Sequence, residues 1–198
     1  GEFKHFTQAL GIAGAEERAW HSPFDYENQA MLYVPPDMPN LKTGVSRDDF
    51  TDELIRQVWP VIDMVGGRAF VLCTSYRAME RAAEQIRECV SANGRDYTVL
   101  VQREEAKEKL LETFRSDPHP ILVATMSFWE GIDIKGEQLS LVVIDKLPFP
   151  NRDDPVFDAR CKWLDAKGQS SFNVLSVPAA AIALKQGTGR LIRSEGDR

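Results

Sequence analysis

The sequence predicts an α/β domain built on a mostly parallel sheet, with helices on both faces. The first observation is a set of four apolar runs of strand length: RAFVLCT, YTVLVQ, PILVATM and LSLVVIDKL. Strands this apolar are buried on both sides, as they are in parallel sheets. The second observation is spacing. The first two runs are each followed by an amphipathic stretch of helical length, YRAMERAAEQIRECVSANG and then REEAKEKLLETFRSD. That alternation marks βαβ units, and the right-handed crossover rule leaves them few topologies.

Each element can be justified in turn. EFKHFTQALGI places Phe3, Phe6 and Leu10 on one side of a short helix that stops at Gly11. SPFDY then leads into QAMLYVPP, expected as a strand closed by two prolines, and the polar MPNLKTGVSRDD reads as a loop. From Ser46 the texture changes. A serine cap and acidic residues precede Phe50, Leu54, Val58, Ile62 and Val65, spaced three or four apart, and Gly66-Gly67 ends that helix. Pro60 inside it removes a backbone hydrogen bond and is expected to bend it. After the fourth strand come a charged helical segment from Asp153 and the alanine-rich PAAAIALKQGTGRLIR. Residues 46–198 are therefore expected to form one α/β domain and residues 1–45 a lead-in. The abrupt start, and an end without a closing strand, suggest a piece of a longer protein, truncated on both sides.

Composition narrows the class further. With 43% hydrophobic and 27% charged residues, the 198-residue chain is ordinary globular material. No apolar run reaches the length of a membrane span, and the first residues lack a signal-peptide core. Cys73, Cys89 and Cys161 include no CxxC pair, which excludes a four-thiolate cluster within the chain and suits reduced thiols in the cytoplasm. The net charge of −6 argues against indiscriminate nucleic-acid binding but leaves room for a local basic groove.

Ligands of open parallel sheets bind at the carboxyl ends of the strands, so four places matter. After AFVLC stand Thr74, Ser75 and Tyr76: two hydroxyls and a helix start that suit a phosphate, and a ring that suits a base. A plain helix cap by Thr74 or Ser75 is the competing reading. After ILVAT comes MSFWEGIDIKG, where Gly131 admits a close ligand, Asp133 suits a ribose, and Phe128 and Trp129 either pack inward or face a ligand. After LSLVVID, Asp145 mimics a magnesium-binding acid. However, the chain has no Gly followed by Lys, hence no phosphate loop, so by itself it should not hydrolyse a nucleotide. A strand-end acid in that setting usually salt-bridges or caps. The fourth place is QGTGRLIR. Gln186, Arg190 and Arg193, spaced four and three apart, fall within roughly 60° of one another on a continued helix. Gly187 and Gly189 clear bulk beside them, and arginine forks stabilise charge on phosphoryl oxygens. A solvated basic turn paired with Glu195 or Asp197 is the alternative.

SPFDY, TSYRAM, SFWEGIDIKGEQLSLVVIDKLPFP and QGTGRLIRSEGD, in that order, resemble the second motor domain of the DinG/XPD-like superfamily 2 DNA helicases, and most of all the bacterial DinG-type branch. The resemblance covers essentially the whole chain. It implies a RecA-like three-layer fold in which two such domains sandwich ATP and Mg2+ while single-stranded DNA crosses both. The first motor domain, absent here, would supply the phosphate loop, the magnesium acid and, in most members, an iron–sulfur cluster. By resemblance Arg193 matches the arginine finger, with Arg190 and Gln186 as its partners and Gly189 on the same loop. Gly131 and Asp133, with Glu130 alongside, match contacts near the nucleotide. Thr74, Ser75 and Tyr76 match the strand-binding edge, and Trp129 either lines the DNA path or braces its loop. The implied protein is a cytoplasmic monomer, nucleoid-associated when on DNA. Two rival classes use similar groups: a non-enzymatic nucleic-acid-binding module, and a small-phosphate transferase, which lacks support from any glycine-rich first turn.

Overall fold

A computed structural model describes residues 3, 7, 10–12, 14–20, 24–129, 132, 134 and 138–188, with Trp129 as backbone only. Ser46 opens the first long helix, α1 (Arg47–Met64). Its hydroxyl accepts from Asp49 N at 3.0 Å, and Asp48 and Asp49 place negative charge on the first turn, where the helix dipole favours it. Phe50, Leu54, Ile55, Val58 and Ile62 are buried along one stripe. The helix continues through Pro60. That residue is exposed, so the carbonyl it leaves without a partner, on exposed Arg56, is open to water. Gly66 and Gly67 end α1 with positive φ, and Gly67 N donates back to Ile62 O. A side chain at Gly67 would meet the backbone of His119 at 2.9 Å, so glycine is required twice over.

The sheet follows at once. Strands β1 (Ala69–Cys73), β2 (Thr98–Val101), β3 (Pro120–Thr125) and β4 (Leu141–Ile144) lie in the order β2-β3-β1-β4, every pair parallel. Ala69 sits opposite Ile121 on one side and Leu141 on the other, while Thr98 sits opposite Pro120. Helix α2 (Tyr76–Ala92) links β1 to β2, and α3 (Lys107–Ser116) links β2 to β3. The two central strands, β1 and β3, are buried at every residue.

Strand alternation sends the two sets of side chains to opposite faces. Ala69, Val71 and Cys73 pack against α1 and α2, with Ile55, Ile62, Met79, Ala82 and Ile86. Phe70 and Leu72 meet Leu110, Leu111 and Phe114 of α3, and the Phe70 and Phe114 rings stand edge to face at 4.8 Å. Phe128, Ile132, Ile134 and Leu139 join that second layer and pin the segment after β3 onto the sheet. This is the RecA-like three-layer α/β arrangement.

Beyond β4, α4 (Pro155–Ala166) is capped by Asp154, which accepts from Phe157 N at 2.7 Å. The Asp165 carboxylate accepts from both Ser171 N and Ser171 Oγ, and these two bonds hold it below the usual carboxylate range. A π-helical stretch, Phe172–Ser176, then runs into α5 (Val177–Thr188).

One expectation fails. The run QAMLYVPP does not form a strand: residues 30–36 carry no sheet pairing, and Met31, Leu32, Tyr33 and Val34 are all exposed. Apolar character predicts a strand only where an edge receives it. The four described strands pair among themselves, and Pro35 and Pro36 have no N–H to offer.

Candidate functional site

The carboxyl edge of the sheet brings the turns after all four strands into one row. After β1, the chain leaves Cys73 into Thr74-Ser75-Tyr76. Ser75 is the cap of α2: its backbone is extended and its hydroxyl accepts from Ala78 N at 3.2 Å. Thr74 is engaged as well. Asp145, the residue that follows β4, accepts from Thr74 N at 3.0 Å and from Thr74 Oγ1 at 3.1 Å. The Asp145 side chain is 3% exposed, and Lys146 Nζ lies 3.1 Å from its other partner-bearing oxygen, Oδ2. A buried carboxylate needs such donors, and here the neighbouring strand end provides them. Beneath this clasp Cys73 is fully buried; its thiol is pushed up to about 12 by burial first, with the Asp145 charge adding to the effect.

Two groups of this turn remain open. The amides of Tyr76 and Arg77 belong to the first turn of α2 and have no acceptor among the described residues. Tyr76 is 45% exposed. Arg77 itself is spent, forked onto Asp48 at 2.7 and 3.0 Å.

The turn after β2 is built differently. Gln102 Oε1 accepts from Thr125 N at 2.7 Å and from Thr125 Oγ1 at 2.8 Å, tying this turn to the end of β3. Thr125 Oγ1 also lies 2.9 Å from Ser127 Oγ. Glu104 N donates to Val101 O, closing a four-residue turn in which Arg103 takes φ +80°. Its guanidinium carbon sits 4.8 Å from the centre of the Tyr76 ring. One step further, Lys107 Nζ lies 5.1 Å from the Phe128 ring centre.

Of the residues singled out from sequence, Thr74, Ser75 and Tyr76 therefore stand together at the edge. The Thr74 and Ser75 hydroxyls are bound within the fold, while Tyr76 is exposed and the Tyr76 and Arg77 amides have no acceptor among the described residues. Gln186 lies exposed on the last turn of α5, beside buried Gly187, and shares no hydrogen bond or ring contact with the β1 turn. Trp129 ends the short 3-10 turn Met126–Trp129. Glu130, Gly131, Asp133, Gly189, Arg190 and Arg193 lie outside the described residues. Sequence reading missed Gln102, Arg103, Thr125 and the Asp145 clasp. A polar Gln-Arg pair closing an apolar strand was the available signal for the first two.

Among the described residues no group of His, Cys, Asp and Glu is placed to hold a metal ion. An open cleft of about 580 Å³ runs along Asp48, Arg77, Glu80, Arg81, Glu84 and Arg87. Its arginines are paired: Arg77 with Asp48, Arg81 with Asp52 and Glu84, and Arg87 with Glu104. Those paired charges keep no guanidinium in reserve for an anion, so the chemistry of the edge row, not the cleft, defines the candidate site. That row offers amide donors, an exposed ring and a stacked guanidinium, the components of a binding surface for a phosphate-bearing strand.

The helicase C-terminal domain family matches residues 58–198. Over all 198 residues the chain is 45% identical to the ATP-dependent DNA helicase YoaA of Haemophilus influenzae and 43% identical to its namesake in Escherichia coli. It is 36% identical, over its whole length, to the ATP-dependent helicase DinG of Mycobacterium tuberculosis. It spans about 30% of the length of these relatives. No helix among the described residues is long and apolar enough to cross a membrane.

Proposed function

The chain belongs to the helicase C-terminal domain family, and on that premise we propose that it is the second motor domain of an ATP-dependent DNA helicase. The observation that carries the reading is 45% identity along the whole chain to a protein named as such a helicase. An exposed ring and two open helix-start amides at the ligand-binding edge of the sheet support it. Residues 46–198 are then the motor domain proper, a boundary in keeping with the Ser46 cap of α1, and residues 1–45 lead in from the first motor domain.

In this reading Arg193 is the arginine finger, with Arg190 and Gln186 as its partners. The two guanidiniums stabilise charge that develops on the γ-phosphate of ATP held by the first motor domain. Glu130, Gly131, Asp133 and Gly189 line the nucleotide side of the cleft. Thr74 and Ser75 shape the strand-binding turn, and Tyr76 and Trp129 meet the strand. In this reading the first motor domain supplies the magnesium-binding acid and any iron–sulfur cluster the parent carries. Attraction of Arg190 and Arg193 to the phosphate closes the two domains and its loss opens them, so a strand gripped on both is moved along. The protein works as a monomer on single-stranded DNA in the cytoplasm, on the nucleoid, and the chain alone does not turn over ATP.

For the chain by itself, a gripping module is the second reading, favoured by the amide donors and the exposed ring among the described residues of the edge row. Binding of a dT oligonucleotide that weakens steeply with salt, without turnover, is its signature.

The test is Arg193→Ala in the complete parent protein. An arginine finger is worth about 10³–10⁵ in turnover, so strand-stimulated hydrolysis should fall by at least ~10³ while ATP and strand binding persist. Unchanged turnover would remove the finger assignment.

A further inference from the structure

Arg103 is the residue on the edge row whose placement needs an explanation. Its φ of +80° is that of the third position in a type II turn, a place that selects glycine or asparagine. An arginine there holds the backbone in a region that L side chains rarely adopt, and such positions cluster at ligand clamps. The turn is fixed independently of Arg103 by the Gln102 bonds to Thr125 and by Glu104 N to Val101 O. The backbone of the turn is therefore held without the arginine side chain.

What the side chain does is stack. Its guanidinium lies over the exposed Tyr76 ring and makes no hydrogen bond or ion pair with a described residue. The acids beside it are occupied elsewhere: Glu104 with Arg87 and Glu105 with Lys109. Stacking on a ring restricts the rotamers of a long side chain while leaving its N–H edge free. A planar fork held in that way suits a phosphate.

Resting on the strand-binding reading above, we infer that Arg103 is a strand-contacting residue. Stacked on Tyr76, it takes a phosphate of single-stranded DNA and extends the track from the end of β1 across β3 to the end of β2. Strands lie about 4.8 Å apart, so this carries the track roughly 10 Å along the edge.

The test uses the complete parent protein, a single-stranded dT oligonucleotide, and Arg103→Gly beside Arg103→Lys. Glycine fits φ +80° without strain, so the first variant removes the guanidinium and not the turn, and its melting temperature should not fall. It should bind the oligonucleotide about five- to tenfold more weakly, with the slope of log affinity on log salt shallower by about 0.7. The strand concentration giving half-maximal ATPase stimulation should rise in step. The lysine variant keeps the salt slope but binds with intermediate affinity, because its point charge does not stack as a plane. Wild-type affinity and slope in Arg103→Gly, with turnover still strand-stimulated, would overturn the inference and leave the motor reading intact. Absence of strand binding in the wild type itself would overturn both.

Discussion

The turns after β1 and β2 stand on the same edge of the same sheet, yet they are made by opposite means. The β1 turn spends its polar groups on the fold: Ser75 caps α2, and Thr74 is clasped by Asp145 from a strand end 71 residues away. The β2 turn spends Gln102 on Thr125 and Glu104 on Arg87, and leaves Arg103 without a hydrogen bond or ion pair to a described residue in a strained backbone. The first is rigid because its donors and acceptors satisfy one another; the second keeps a charge available for something outside the chain. A binding surface needs both: rigid turns that aim reachable groups, and groups that the fold has not used.

Substitutions should separate the two turns, and the largest effect belongs to the clasp. Asp145→Ala takes both acceptors from Thr74 and the partner from Lys146, so the chain should lose about 1–3 kcal/mol in urea unfolding. Local opening should follow, and Cys73 reports it. With its thiol pushed up to about 12, this buried group holds almost no thiolate near pH 8 and reacts with a thiol reagent only when the β1 end opens. Its labelling should quicken about tenfold or more in Asp145→Ala. Asp145→Asn removes the same charge but keeps an acceptor for Thr74 N–H, so slow labelling in that variant would identify the clasp, not the charge, as the cause. Equal labelling in wild type and Asp145→Ala would break the claim that the β1 turn is held by its own bonds.

A smaller change is expected from Ser75→Ala. Loss of a cap typically costs about 1 kcal/mol, and it should appear as a lower urea midpoint with strand affinity falling only as far as the turn loosens. The smallest stability change belongs to Arg103→Gly, unchanged or raised by up to about 1 kcal/mol as the positive φ is relieved. Its effect should be confined to strand binding. If Arg103→Gly destabilised the chain as much as Ser75→Ala does, the two turns would not differ in kind.

Much of the molecule was legible in the sequence because the controlling interactions are local or unmistakably apolar. Ala69–Cys73 and Pro120–Thr125 are buried at every residue and read directly as interior strands. Ser46 and Ser75 cap helices within three residues of themselves, so side-chain type and position sufficed. The segment Met31–Val34 was misread because hydropathy cannot say whether a partner edge exists. Asp145 was recognised as a capping or salt-bridging acid, but not the strand end it would cap.

The sequence by itself determined the four strands and the helices between them, the caps at Ser46 and Ser75, the alternation that sends Phe70 and Val71 to opposite faces, and the motif order that places the chain among helicase C-terminal domains. Only the tertiary structure decided the order β2-β3-β1-β4, the clasp of Asp145 on Thr74, and the stacking of Arg103 on Tyr76. The physical reason is range. Propensity and periodicity act over a few residues, whereas these contacts join turns that become neighbours only when the parallel strands between them have paired.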